Sequence, residues 1–192
     1  MSTYFEEMYE YLVKPENYNA AKEIANLLSS IEQKLISDFW KEVKEKLSDD
    51  IDFGWEAKLD EEEDSFNYYL HKPHWKDVEI GFETDYYSIF DYGIWFDRKK
   101  FDPSKIIEIS EKHKDKLTTL YPDNQSWLCY NPIPNIDDYK FNGSKEKILR
   151  ILPSSRESKV LEISSLLKNY AKNVEKICDE INTYCRKNNI NP

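Results

Sequence analysis

The stretch WKDVEIGFETDYYSIFDYGIWFDRK, residues 75–99, decides the fold of this chain. Apolar and polar residues alternate in two runs within it, Val78 to Glu83 and Phe90 to Asp97. A period of two with one apolar face is typical of an antiparallel pair of strands that is buried on one side. The stretch therefore predicts a β-hairpin whose apolar face must be covered by helices.

A second pair of alternating runs, residues 53–59 and 66–70, lies just before this hairpin. The acidic run 60–64 between them predicts a solvated connection. Because the links are too short for parallel crossovers, all of these strands are expected to run antiparallel. The prediction is a four-stranded meander, with Trp127 to Tyr130 as a candidate fifth strand.

Helical periodicity marks the segment before the strands. Residues 4–13 predict a short helix that Pro15 ends, and Ala20 to Leu47 predict a long helix with one buried face. The apolar stripe of the long helix consists of Ile24, Leu28, Ile31, Leu35, Ile36, Phe39, Trp40 and Val43.

Two shorter helices are expected after the strands. Asp102 as N-cap and Pro103 at the first helical position predict a helix that runs to about Leu120. A second, capped by Ser144 and continuing through Leu152, is expected to stop at Pro153.

The last predicted helix, from about Ser155 to Asn188, carries the most regular pattern in the chain. Its apolar residues form two interleaved sets with a spacing of seven: Val160, Leu167, Val174, Ile181 and Ile163, Tyr170, Ile177, Tyr184. Such a seam packs on the sheet or the first long helix of the same chain, or it pairs two copies as a homodimer. We favour packing within the chain.

Together these elements predict an α+β fold, an antiparallel four- to five-stranded β-meander packed against two long helices. The 192 residues suffice for one domain with a sizeable core. We divide this single domain, 1–192, into N-terminal helices (1–48), the meander (51–99), a helix and irregular segment (102–152) and the C-terminal helix (155–188).

Charge and composition restrict the partners. Acidic side chains outnumber basic ones by 37 to 27, for a net charge of −10, which disfavours direct binding to nucleic acid or to an anionic membrane. The sequence shows no signal peptide and no membrane span, so a cytoplasmic protein is expected. Cys178 and Cys185 lie about 10 Å apart along one predicted helix, too far for a disulfide.

The candidate binding surface is the outward face of the central hairpin. Its predicted members are Asp77, Glu79, Glu83, Asp85, Asp91, Trp95 and Asp97. Each pair of like charges that lie opposite one another costs about 0.2–1 kcal/mol, so either water screens this face or a basic partner covers it. Trp95 would anchor such a partner, since Trp is frequent at interface hot spots. The alternative is that another part of this chain covers Trp95.

Catalytic and metal-binding patterns are weaker. Glu56-Ala57-Lys58 matches the Glu-x-Lys of PD-(D/E)xK nucleases, for which Asp49, Asp50 or Asp52 could supply the further acid. No Pro-Asp precedes it, however, and these acids are too close to occupy a separate strand. His71 and His74 are expected in a surface turn and His113 in solvent. We therefore predict no catalytic residue, no metal ligand and no cofactor.

One arrangement resembles a known family. A long helix, a Trp-x-x-x-x-x-Ile-x-Phe-Glu segment, an aromatic-Gly-Ile strand and a Trp-bearing stretch are similar to the C-terminal accessory region of bacterial and phage PD-(D/E)xK nuclease-family proteins. The residues that carry it, within residues 20–188, are Trp75, Val78, Ile80, Phe82, Glu83, Tyr92, Gly93, Ile94 and Trp127. The nuclease domain itself is absent, so the resemblance implies a free-standing accessory module and no catalytic residue.

Three function classes follow. The first is a non-enzymatic binding protein that uses its acidic, aromatic-containing surface against a basic partner, such as a nucleic-acid enzyme. A phage or mobile-element inhibitor of a host defence nuclease, of the anti-CRISPR type, is one such protein. The second is a metal-dependent PD-(D/E)xK-like nuclease or its accessory domain. The third is an oligomerisation module built on the C-terminal helix.

Overall fold

The computed structural model describes residues 3–49, 54–59, 66–85, 89–117, 119–120, 129–130, 135–139, 141 and 145–186. The helices are α1 (Thr3–Leu12), α2 (Pro15–Asp49), α3 (Pro103–Lys112), α4 (Lys145–Leu149) and α5 (Pro153–Tyr184). The strands are β1 (Glu56–Leu59), β2 (Phe66–His71), β3 (Val78–Asp85), β4 (Ile89–Phe96), β5 (Thr119–Leu120) and β6 (Cys129–Tyr130).

The predicted meander is confirmed. The sheet has the order β1-β2-β3-β4, and each neighbouring pair runs antiparallel. In the central hairpin Ile80 lies opposite Ile94 and Phe82 opposite Tyr92, and all four side chains are buried. The alternation in the sequence therefore assigns residues 78–83 and 91–96 to the correct faces, because a strand turns successive side chains to opposite sides.

The C-terminal seam packs within the chain, as favoured from the sequence. Helix α5 lies against α2, α3 and β3, and its seam residues from Val160 to Ile181 are buried. The ring of Tyr170 meets the rings of Phe82 and Tyr92 edge-on, at centroid distances of 5.9 and 5.1 Å. The two long helices thus pack on each other and on the apolar face of the sheet.

Only the C-terminal half of α2 has the buried face that the sequence predicted. There Phe39 and Trp40 join Tyr139 and Phe141 in an aromatic cluster, with centroid distances of 5.1–6.3 Å. In the N-terminal half the same stripe is exposed at Ile24, Leu28 and Ile31, so the prediction is wrong for these residues. Because α2 continues past the body of the protein, this half has no core beneath it. We call residues 3–31, which comprise α1 and the N-terminal half of α2, the helical arm.

Helix α3 is shorter than predicted. It begins as expected, with Asp102 accepting a hydrogen bond from the backbone N–H of Ser104 at 3.0 Å, but it ends at Lys112 instead of near Leu120. The backbone N–H groups of Lys116 and Leu117 bond to the carbonyl of His113, a turn that brings Leu117 into the core. The helix therefore ends before a turn that buries Leu117.

His113 is not solvated as predicted. Its ring lies 3.1 Å from Glu180 on α5, and Lys112 bonds the same carboxylate at 2.7 Å. The hydrogen bond from Lys112 and the bond from His113 together lower the pKa of Glu180. This contact attaches the end of α3 to α5.

Further boundaries differ from the predictions: α2 begins at Pro15 and not at Ala20, and α4 ends at Leu149 and not at Leu152. Cys129–Tyr130 does form a strand, but it pairs with Thr119–Leu120 in a separate two-stranded sheet, so the meander has four strands. Pro153 does not end a helix but begins α5. The backbone N–H groups of the first helical turn have no acceptor within the helix, so proline, which lacks this N–H, is tolerated there. Ser144 and Trp127, which also entered the predictions, lie outside the described residues.

Candidate functional site

The face of the meander that points away from the helices collects the polar half of each strand. The register places Glu79 opposite Trp95 and Glu83 opposite Asp91, with Gly81 facing Gly93 between these pairs. Strand β2 adds Tyr69, which lies opposite Gly81 and Lys58. We call the outer face the set Glu56, Lys58, Asn67, Tyr69, His71, Glu79, Gly81, Glu83, Asp91, Gly93 and Trp95.

The carboxylates of the outer face lie close to one another. Glu83 and Asp91 are directly opposite across the β3–β4 pair, an arrangement that costs about 0.2–1 kcal/mol relative to a neutral pair. The Tyr69 hydroxyl donates a hydrogen bond to Glu83, while Asp91 is exposed. The repulsion between these two carboxylates therefore destabilises this part of the sheet.

One lysine on the outer face offsets part of this charge. The Lys58 ammonium lies 3.8 Å from Glu79 and 5.8 Å from the centre of the Tyr69 ring. Lys58 is exposed, so water screens its ion pair and the pair is weak. With Glu56, Glu79, Glu83 and Asp91 against one lysine, the outer face remains acidic.

Trp95 lies on the edge strand β4, at one end of this acidic face. Its side chain is half-buried and directly opposite Glu79. A Trp beside carboxylates offers a partner both apolar area and an N–H donor. The structure therefore brings Glu79, Glu83, Asp91 and Trp95 of the predicted surface together on one face.

Asp77 and Asp97 are placed differently, at the end of the sheet beside the C-terminus of α5. Asp77 bonds Lys100 at 2.6 Å and Arg186 at 2.9 Å, and Asp97 lies 3.6 Å from Lys100. The hydrogen bond to Asp77, with the nearby charge of Asp97, raises the pKa of Lys100. These two acids thus meet cations of their own chain. The Asp85 backbone pairs with Ile89, and its side chain lies outside the described residues.

Asp77 also adopts a backbone conformation that is unfavourable for most residues, with φ at 63°. We expect Asp77→Ala to lower the free energy of unfolding by about 2 kcal/mol, because it loses both ion pairs and retains the left-handed backbone. Asp77→Gly should be less harmful than the alanine variant by about 1 kcal/mol, since glycine adopts this φ freely. Urea unfolding measures both.

Asp91→Ala is the control for these variants, since it also removes an acid from the sheet but has no ion pair among the described contacts. Its stability should be unchanged or slightly higher, because the repulsion from Glu83 disappears. Equal losses for Asp77→Ala and Asp91→Ala would contradict a structural role for the Asp77 contacts.

Glu56 of the nuclease pattern and the histidines pair with other side chains, and His71 ends β2 and does not lie in a turn. Glu56 lies 3.0 Å from His71, and His74 lies 3.0 Å from Asp179. Asp49 ends α2, while Asp50 and Asp52 lie outside the described residues. Across the residues that the structure describes, no three His, Cys, Asp or Glu side chains are grouped to hold a metal ion.

Comparisons with known proteins assign no function to the outer face. No family model, no curated protein and no solved structure matches this chain. The resemblance to a nuclease accessory region therefore stays a prediction. In the described part of the chain, no helix is both long and apolar enough to cross a membrane.

Sequence reasoning missed Tyr69 and Lys58 as members of the outer face. Both could have been found from the alternation, because Tyr69 lies between the inward residues Tyr68 and Leu70, and Lys58 follows the inward-facing Ala57. Their pairing with Glu83 and Glu79 depends on the register, which alternation alone does not specify.

Proposed function

We propose that this protein acts by binding another protein through its outer face, and that the partner presents a basic surface. The observation that carries the proposal is the directly opposed pair Glu83 and Asp91, with Trp95 opposite Glu79 on the same face of the same strand pair. Like charges that lie opposite one another destabilise a strand pair. A cationic partner would be attracted to both carboxylates and would offset their repulsion.

Nucleic-acid enzymes are the partner class that we propose. Their substrate-binding surfaces are basic because they must contact phosphates, and an acidic face can occupy the same surface. Inhibition of a host defence nuclease by a phage or mobile-element protein, as anti-CRISPR proteins do, would use such a contact. A purely non-enzymatic mechanism is sufficient for this role, since occupancy of the surface alone blocks the enzyme.

The first test is capture of partners from a bacterial lysate at about 50 mM and about 500 mM salt, with identification by mass spectrometry. Salt shortens the range of electrostatic attraction, so a basic nucleic-acid enzyme should be retained at low salt and lost at high salt. The purified partner then serves for affinity measurements with variants.

Trp95→Ala should weaken binding of that partner about 30-fold, the effect of a hot-spot residue, mostly through faster dissociation. The double variant Glu83→Lys, Asp91→Lys should slow association and reverse the salt dependence. Calorimetry and surface plasmon resonance measure these changes.

The matched control reverses the same number of charges away from the outer face. Glu111 on α3 and Glu157 on α5 are exposed, so Glu111→Lys with Glu157→Lys changes net charge equally without touching the outer face. If both double variants weaken binding to the same degree, the partner responds to net charge and the outer face is not the site.

A further inference from the structure

The helical arm leaves an unusually large apolar surface uncovered. Its exposed side chains are Tyr4, Phe5, Met8, Tyr9, Tyr11, Val13, Tyr18, Ile24, Leu27, Leu28 and Ile31. The aromatic residues among them are 54–70% exposed, which leaves on the order of 600 Å² of aromatic surface in water. The largest apolar patch of a typical monomer is about 300–600 Å² in all, so the aromatic residues of the arm alone reach the upper end of this range before the aliphatic residues are added.

The exposed stripe on α2 continues the stripe that is buried farther along the same helix. Ile24, Leu28 and Ile31 lie in line with Leu35 and Phe39, at steps of three and four residues. At Phe39 the stripe packs in the aromatic cluster, whereas from Ile24 to Ile31 it is 44–63% exposed. A helix face with this pattern is typical of one that packs against another element.

The charges on this part of α2 cancel. Lys22 and Lys34 balance Glu23 and Glu32, so this segment has no net charge in a protein whose overall charge is −10. On α1 the acids Glu7 and Glu10 point away from the side of the helix that carries Phe5 and Tyr9, while Glu6 flanks that side. A strongly basic partner would therefore gain little electrostatic attraction at the α2 stripe, whereas a second copy of the chain would meet no net charge repulsion there.

The order of residues in the stripe has two-fold symmetry. In Ile24-Ala25-Asn26-Leu27-Leu28-Ser29-Ser30-Ile31 the positions of the isoleucines and leucines read the same in both directions. When two such helices lie antiparallel about the midpoint between Leu27 and Leu28, Ile24 meets Ile31 of the second copy, and Leu27 meets Leu28. A two-fold interface needs this self-complementarity, because each surface is its own partner.

We propose that two copies of this chain pair through their helical arms, with the Ile24–Ile31 segments antiparallel. The α1 helices extend the contact with their aromatic side chains. About 800 Å² per partner is standard for a stable interface, and the exposed apolar area of the arm suffices for that. This dimer uses neither the C-terminal seam, which is buried within the chain, nor the outer face, so it is independent of the proposed function.

Mass in solution tests the pairing. Light scattering after gel filtration should give twice the chain mass of 23.0 kDa for the wild-type protein. Leu27→Glu with Leu28→Glu places four carboxylates at the dyad and should raise the dissociation constant at least about 100-fold, so that the monomer is observed. Because both leucines are exposed in the single chain, circular dichroism should show unchanged helix content.

The matched control is Ile107→Glu with Leu161→Glu, since these exposed apolar residues lie on α3 and α5 outside the arm. This variant should remain dimeric. A wild-type protein that is monomeric at all concentrations overturns the proposal, and so does a dimer that survives in the arm variant.

Cysteine cross-linking tests the direction of the helices. Leu28→Cys lies next to the dyad and should form a disulfide between copies, whereas the two Ile24→Cys residues would be about 10 Å apart along the axis, beyond the reach of a disulfide. Wild-type protein, treated with the same oxidant, controls for the native cysteines. Equal cross-linking of both variants would indicate a parallel pair and would overturn the antiparallel arrangement.

Discussion

Tyr170→Ala should lower the free energy of unfolding by about 3–5 kcal/mol, whereas Tyr184→Ala should change it by less than about 0.5 kcal/mol. Both tyrosines belong to the same set of heptad positions on α5, two heptads apart. Tyr170 is 3% exposed and Tyr184 is 63% exposed. A comparison of these two variants therefore isolates the effect of burial, because the residue type and the heptad position are the same in both.

The large effect at Tyr170 comes from its place between the helix and the sheet. Its ring contacts Phe82 on β3 and Tyr92 on β4, so alanine leaves a cavity where α5 meets these two strands. Strand β3 is hydrogen-bonded to β2 on one side and to β4 on the other, so it cannot collapse into that cavity. Urea unfolding monitored by circular dichroism measures the loss. A similar change at both positions would show that the seam does not pack on the sheet in this way.

Trp75→Ala should also lower the free energy of unfolding by about 3–5 kcal/mol. Trp75 is buried at the turn before β3, where its ring meets Trp55 edge-on at a centroid distance of 5.1 Å. Its indole N–H donates to Asp179 on α5 at 2.7 Å, so the residue joins the turn, β1 and the helix. The variant loses both the packing and this hydrogen bond.

Trp75→Phe separates the two contributions. It retains an aromatic ring but loses the N–H donor, and we expect a loss of about 1–2 kcal/mol at neutral pH. Burial alone would raise the pKa of Asp179, but the hydrogen bonds from Trp75 and His74 outweigh it and lower that pKa. The bond thus stabilises the fold above the ordinary pKa of aspartate, and its contribution disappears as the pH falls below the lowered value.

The penalty of Trp75→Phe should accordingly be smaller at about pH 3 than at about pH 7. Parallel urea titrations of the wild type and the variant at the two pH values give this difference. A penalty that is the same at both would mean that the loss comes from packing and not from the bond to Asp179.

Local pattern was sufficient for most of the secondary structure. Alternation assigned residues 78–83 and 91–96 to the correct faces, and steps of three and four located α2 and α5. The turn after Lys112 was not predictable, because it depends on a contact between Leu117 and the core. The same holds for His113, whose partner Glu180 lies 67 residues away in the sequence.

The candidate site was predicted in part. Glu79, Glu83, Asp91 and Trp95 share the outer face because a period of two is dictated by strand geometry. Asp77 lies in the same phase of the alternation, yet its positive φ and its contacts with Lys100 and Arg186 place it at the end of the sheet. No periodicity could indicate that, since Arg186 is 109 residues away from Asp77.

The sequence by itself determined the α+β class, the antiparallel meander and the identity of the apolar stripes, because these depend on the spacing of residues within single helices and strands. Which stripe is covered was decided only by the tertiary structure. The stripe of α2 is equally apolar at Ile24–Ile31 and at Phe39–Val43, but only the second part lies over the sheet and α5. Burial depends on what else the chain places beside a helix, and that is a property of the whole fold.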